Sequence, residues 1–418
     1  MVSRPSGGLW VRKMVIRRNK VSLWLLISTF ILLTISLTKT NSQHEDIVNI
    51  LRIIIGGFSV LLLLIDFSLC IIKRNISKTR FAILTISFTL FLYAMIRSVA
   101  FGGVSYFFSD SDILSVVLLS FLFLWASSAV GGELTYSEAD IAFKKYIPIY
   151  CSISILLTIF FGGLTLDFPP RFIFNDLGLN SYSQGISKVY MIGALVSLLK
   201  YLKTKTKIPL AFSILMLCLS FLGGARGDFA IGFIIYSIII FLYNKKLGAF
   251  LFALSIAVYS MSFLNLTELS NDFYIVNRFM QLDTSNLGQR DVLATNAITL
   301  LNDNSICVFF GCGFNAFQSY WGYRIGLYPH NIAIESAITF GVPMAGFLIV
   351  CLAYSLLKLY RKNMLENSFV IIGIYIISVG MKSGTILDLM MVGFYMNIVI
   401  TAISGYSLKF NSFYVGSK

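Results

Sequence analysis

Three arginines and a histidine, far apart in the chain, are the side chains best suited to chemistry. Arg226 stands in the run Gly223-Gly224-Ala225-Arg226-Gly227-Asp228. Its glycines let backbone approach a ligand closely and leave the planar guanidinium fork free for two-point contact with phosphate. The plainer reading is an interface arginine that snorkels and pairs with Asp228. Arg290 falls in the first turn of a predicted helix. Helix N-termini offer unpaired N–H donors to anions, and a cation placed there works against the helix dipole, so the arrangement invites an anion. A solvated loop arginine is its plain alternative. His330 is one of two histidines, with His44. Imidazole titrates near about pH 6.5, and neighbouring cations push that down, keeping a neutral base that can take a proton from a hydroxyl. Taken alone, His330 reads equally as a helix cap. Asn331, Glu335 and Thr339 share the polar face of the short helix expected after Pro329.

Other signals are weaker. Asp110-Ser111-Asp112 has the spacing of a metal-using acidic motif but also stands where a helix cap belongs. Arg97, and Lys382 with Asp388, read as snorkelling or paired residues at span ends, and Asp66 as a deep structural hydrogen-bonding group. Cys70, Cys151, Cys218 and Cys351 fall in apolar helices, where a thiol acts as a small hydrophobe. Cys307 and Cys312 lie outside them and read as two free thiols, pairing being the alternative. No zinc-type spacing, phosphate-binding Walker loop or G-x-S-x-G elbow occurs, so no metal and no cofactor are expected.

The elements that must hold these residues are membrane helices. Of 418 residues 57% are hydrophobic and 12% charged, with a mean hydropathy of +0.82, too apolar for a water-soluble domain of this size. The apolar runs are continuous rather than alternating, so the fold class is all-α, a polytopic integral membrane protein, and not a barrel. About twelve transmembrane helices are predicted, near 21–38, 47–72, 81–100, 113–130, 146–166, 186–202, 208–222, 229–243, 247–264, 340–357, 368–385 and 388–405. With both termini cytoplasmic, the inside segments carry 23 of the 33 basic residues and four acidic ones. This positive-inside bias accounts for the net +14 without nucleic acid. The N-terminal basic flank precedes Val21–Thr38 with no small-residue cleavage site, as in a retained signal-anchor; residues 1–13 read as a dispensable extension or an over-long start.

Residues 1–418 form a single membrane domain, with one long external loop, 265–330, that carries short surface helices. Leu293, Ala297, Leu300 and Leu301 recur at helical spacing, placing a helix start near 286–290. Phe309-Phe310-Gly311-Cys312-Gly313-Phe314 reads as a glycine-bent turn, and Gly341-Val342-Pro343 ends the helix after Pro329. The stretch Ile208–Tyr243 must cross out and back in 36 residues, where two full spans want about 40. Its turn therefore cannot project into water, and Arg226 should sit in a cavity at the outer hydrocarbon edge, where a cation requires a partner.

The ordered set resembles the superfamily of O-antigen polymerases and O-antigen ligases over roughly residues 160–360. Arg171 with Gly178 and Asn180 is similar to the family's Arg…Gly…Asn loop. Ala225-Arg226-Gly227 resembles its Ser-Arg-Gly turn, with Ala225 in place of serine. Gly288-Gln289-Arg290 and Gly311-Cys312-Gly313-Phe314 resemble its Gly-Arg…Gly-x-Gly-Phe block, and His330-Asn331 with Gly341 its His-Asn…Gly signature. Met344 stands where a small residue often follows.

The resemblance implies glycosyl transfer at the periplasmic face of the bacterial inner membrane, from an undecaprenyl-diphosphate-linked glycan donor, without metal. Arg226 and Arg290 would hold diphosphate, Arg171 would be a weaker contact, His330 the general base, and Asn331 and Glu335 supporting groups. The implied partners are the lipid-linked donor and acceptor, the lipid bilayer and a chain-length regulator. The expected activity is polymerisation of O-antigen or a related polysaccharide. Ligation of finished glycan to lipid A core shares the donor site and is the nearest alternative. A lipid-glycan flippase is the alternative of another class, disfavoured because the candidate cations crowd onto one side rather than the midplane.

Overall fold

A computed structural model describes residues 7–35, 45–73, 76–103, 111–160, 164–165, 171–172, 184–261, 290–323, 328–383 and 388–404. Of the residues singled out above, His44, Asp110, Gly178, Asn180, Gly288 and Gln289 lie outside these ranges. Each apolar segment of the sequence is a helix: α1 (Gly7–Ile35), α2 (Glu45–Lys73), α3 (Lys78–Ala100), α4 (Ser111–Ser127), α5 (Tyr136–Phe160), α6 (Gln184–Thr204), α7 (Lys207–Leu222), α8 (Arg226–Tyr243) and α9 (Lys245–Met261), then α14 (Val342–Arg361), α15 (Ser368–Ser383) and α16 (Leu389–Ser404). Among the described residues, six helices are long and apolar enough to cross a membrane. The long loop carries α10 (Arg290–Asp303), α11 (Ser305–Phe310) and α12 (Ala316–Trp321), followed by α13 (Ile332–Phe340). The only ladder among the described residues is two residues long, β1 (Leu164–Thr165) antiparallel to β2 (Arg171–Phe172).

Helix α6 is the centre. It is apolar on every side, and residues from Gly185 to Leu199 are buried nearly without a break, as expected of a helix surrounded by others. It packs on α5, α7, α8 and α15. Glycines set the closest approaches: a Cβ on Gly193 would come within 2.8 Å of Cys151 Sγ, and one on Gly373 within 2.8 Å of Ile398 Cδ1.

One end of the bundle is locked by buried polar groups. Arg80, wholly buried, donates to Asp66 at 2.7 Å and to the Trp125 carbonyl, and its guanidinium lies 4.5 Å from the Trp125 ring centroid. Ser22 and Trp125 complete the shell of Asp66, which bears out its structural reading. Nearby, Asp140 accepts from the backbone and hydroxyl of Ser368, while Lys144 bridges Asp140 and the Glu366 carbonyl. Asn397 donates to the carbonyls of Ser127 and Val130 and accepts from Tyr136. Buried polar groups bonded across several helices fix helix ends in register.

Candidate functional site

At the opposite end, the turn bearing Arg226 is tucked among its neighbouring helices. Gly223, Gly224 and Ala225 are buried and Arg226, the first residue of α8, is half-buried. Gly224 has φ +74°, which closes the turn without steric cost. Gly223 touches α6 so closely that a Cβ would lie 2.9 Å from Ser187 N. Ser187 and Ser220 exchange hydroxyl-to-carbonyl hydrogen bonds, and Ser187 Oγ also accepts from Ala225 N. The turn is thus pinned to α6 by hydroxyls that stand outside the arginine motif.

The salt bridge to Asp228 is made by Lys382, at the C-terminal end of α15, with Nζ 3.1 Å from Oδ1. The sequence offered Asp228 to Arg226 and read Lys382, with Asp388, as snorkelling or paired. Asp388 instead caps α16, accepting from Met391 N. Asp228 is wholly buried, whereas the Lys382 side chain remains 30% exposed. Gly227 makes this possible: a Cβ there would lie 2.6 Å from Lys382 Cδ and closer still to Cε and Nζ. Lysine at this position, 154 residues from its partner, is the member of the cluster that sequence reasoning left among the weak signals.

The His330 side of the site is built by a glycine-bent loop. Gly311 and Gly313 have φ of +73° and +87° and leave no room for side chains against Thr339–Phe340 and the α3 backbone. Cys312 N and Gly313 N donate to the carbonyls of Ile338 and Thr339. Arg97 Nε donates to the Gly311 carbonyl at 2.9 Å, and Ser98 Oγ to that of Phe314. Arg97 is therefore a clamp on this loop rather than a snorkelling residue. Cys307 and Cys312 form a disulfide with Cα atoms 5.0 Å apart, correcting the expectation of two free thiols; the bond ties α11 to the loop beneath α13. Helix α12 was also not foreseen. Leu293, Ala297 and Leu300 of α10 bury against Cys307, Phe317 and Ile338, so α10 does begin where its periodicity indicates.

His330 itself has φ +53°, an unusual conformation for a residue with a side chain. Its ring lies 4.2 Å from that of Tyr328, and the residue is half-buried. Asn331 is the N-cap of α13, its Oδ1 accepting from Ala333 N and Ile334 N. That bond fixes the direction in which the chain leaves His330. Glu335 is half-buried one turn along, and Thr339 is buried beneath it.

The two halves meet at α15. Met381, next to Lys382, and Ile332, two residues after His330, line one apolar cleft of about 100 Å³ with Phe91, Phe314, Leu348 and Tyr395. Helix α15 also packs on α8, and α13 on α10, which Arg290 opens. The helices that carry Arg226, Lys382, His330 and Arg290 therefore form one connected series. Arg171 lies in β2, whose Phe172 stacks on Tyr190 of α6 about one turn from Ser187. Among the described residues no group of three or more His, Cys, Asp or Glu is placed to hold a metal.

Compared with known proteins, the chain matches no family model, no curated protein and no solved structure.

Proposed function

We propose that this protein is a glycosyltransferase of the bacterial inner membrane that polymerises O-antigen or a related surface polysaccharide from undecaprenyl-diphosphate-linked units. About twelve spans would place both termini in the cytoplasm and the recessed Arg226 turn at the periplasmic side. The observation that carries the reading is an apolar cleft lined by Ile332, just after His330, and by Met381 of α15, with the Arg226 helix α8 packed on α15 and the Arg290 helix α10 packed on α13. Such a donor needs apolar space for a hydrocarbon chain, fixed cations for its diphosphate and a base for the acceptor.

In this reaction an acceptor hydroxyl oxygen bonds to the anomeric carbon of the donor glycan as the sugar–phosphate bond breaks. The proton of the hydroxyl passes to His330, and the electron pair leaves on the lipid diphosphate. Negative charge on that leaving group grows toward the transition state, so preorganised guanidinium groups at Arg226 and Arg290 stabilise it selectively. Arg171 would extend the anion contact, Glu335 would orient the acceptor, and Asn331 would hold His330 in place through its cap. No metal is required.

The test is complementation of a deletion strain, read as glycan length on lipid A core. Arg226→Ala and His330→Ala should abolish chain growth at unchanged protein level, and Arg226→Lys should rescue only partly, because a point charge lacks the fork. Normal-length chains in Arg226→Ala would remove that arginine from the site. In the deletion strain, single repeats on core mark a lost polymerase. A bare core with long chains still on the carrier marks a lost ligase. Purified protein that moves lipid-linked sugar without forming a glycosidic bond would overturn the enzyme reading.

A further inference from the structure

We infer that Lys382 is a third diphosphate-binding cation, held in the site by Asp228 and admitted to it by Gly227; this rests on the lipid-diphosphate reading above. The geometry separates Lys382 from an ordinary structural ion pair. A lysine that only locked two helices would bury its ammonium with its partner. Here the carboxylate is wholly buried and the lysine side chain keeps 30% of its surface. The ammonium has three donors, and the structure assigns one to Asp228 Oδ1.

Its approach is specific. The lysine arm crosses directly over Gly227, between Arg226 and Asp228, in a space that any Cβ would fill. The glycine of the Ala-Arg-Gly turn thus has a second use besides bending the chain. It admits a cation from α15 to within one residue of Arg226. The preceding residue, Met381, lines the apolar cleft together with Ile332, which follows His330 by two positions. Lys382 accordingly sits over the arginine turn, one residue along α15 from the cleft lining, at the junction of the two. A lipid diphosphate with its chain in the cleft presents its phosphates to this junction. Asp228 fixes the lysine and offsets part of its charge, so that the ammonium is oriented before the anion arrives.

The experiment uses the full-length protein in phosphatidylcholine nanodiscs, with undecaprenyl diphosphate and uncharged undecaprenol as probes. Lys382→Gln alone leaves Asp228 buried without its cation, so the decisive variant is Lys382→Gln with Asp228→Asn, in which a neutral amide pair replaces the ion pair. Wild type should bind the diphosphate at least about tenfold more tightly than the alcohol. The double variant should lose about tenfold for the diphosphate, one charge-assisted contact, with undecaprenol binding and thermal midpoint unchanged. Lys382→Arg should keep most of the diphosphate preference. If the double variant binds both probes like wild type, Lys382 is only a helix lock and the inference fails while the donor site stands. If wild type itself does not prefer the diphosphate, the donor-site reading fails, and this inference with it.

Discussion

Replacing Gly227 by alanine probes the arginine turn without touching a charged group. Gly227 is the second residue of α8, with ordinary helical backbone, so alanine is compatible with the main chain and would by itself favour the helix by up to about 1 kcal/mol. The new methyl would, however, overlap Lys382 along its outer arm, 2.6 Å from Cδ and nearer to Cε and Nζ. The lysine is the movable partner, so it must swing away, and its 3.1 Å bond to Asp228 is broken. Asp228 is then a carboxylate with no exposed surface and no cation. Leaving one member of a buried pair uncompensated costs about 3–5 kcal/mol. Set against the helix gain, Gly227→Ala should destabilise the protein by about 2–4 kcal/mol.

Thermal unfolding in detergent checks this, and a second substitution isolates the cause. Asp228→Asn removes the buried charge. In that background Gly227→Ala should cost at least about 1.5 kcal/mol less than in the wild-type protein, a coupling expected only of residues in contact. Chain growth should fall in both alanine variants, because Lys382 is displaced in each. Equal costs in the two backgrounds would mean that the methyl group does not act through the lysine–carboxylate bond. The packing of Lys382 over Gly227 would then be refuted.

At the other end of the bundle, Arg80→Met strands Asp66 and should cost about 3–5 kcal/mol in the same unfolding assay; adding Asp66→Asn, whose carbonyl can accept from Trp125 Nε1 while its amide donates to Ser22 Oγ, should recover a large part. Gly341→Ala should lower the amount of folded protein sharply, since Gly341 has φ +92° and its Cβ would overlap the Phe309–Phe310 backbone. Gly346→Ala, with nothing within 4 Å of the added atom, should change the thermal midpoint little. Thiol alkylation of denatured protein, followed by intact-mass measurement, should attach four labels without reductant and six with it; six without reductant would show that Cys307 and Cys312 are not bonded.

The helices were legible because apolar continuity is a local property. Every segment read from hydrophobic runs is a helix, and Leu293, Ala297 and Leu300 give the register of α10 even within a mixed loop. The burial of the Arg226 turn was legible for a different reason: the 36 residues of Ile208–Tyr243 leave little chain for a projecting loop between two apolar helices. The partners were less accessible. Asp228 and Lys382 are 154 residues apart, and nothing local distinguishes a lysine that reaches a distant carboxylate from one that snorkels. Arg97 was misread in the same way, since its acceptor is a backbone carbonyl, which carries no signal in side-chain identity. The Cys307–Cys312 bond depends on how Gly311 bends the chain, and spacing alone does not give that bend. Helix α12 escaped because it is a single six-residue piece flanked by left-handed residues, Asn315 at φ 55° and Gly322 at φ 65°, too short to show a period.

The two ends of the bundle use cations differently, and the contrast separates structure from function. Arg80 has no exposed surface, with a carboxylate, a carbonyl and an indole ring arranged around it. A guanidinium enclosed on every side leaves no path for a ligand, and its conformational role is complete. Lys382 has the same kind of buried carboxylate at one side and an open face at the other, while Arg226 is only half-buried at the start of α8. Desolvating a cation is costly, and a fold that needed only cohesion would finish the burial or replace the pair with apolar groups. An ammonium anchored by a buried carboxylate, on a side chain that keeps part of its surface, is the arrangement expected if an anion binds there. Gly227, which leaves the room for Lys382 to reach Asp228, belongs to that arrangement as much as the two charged residues do.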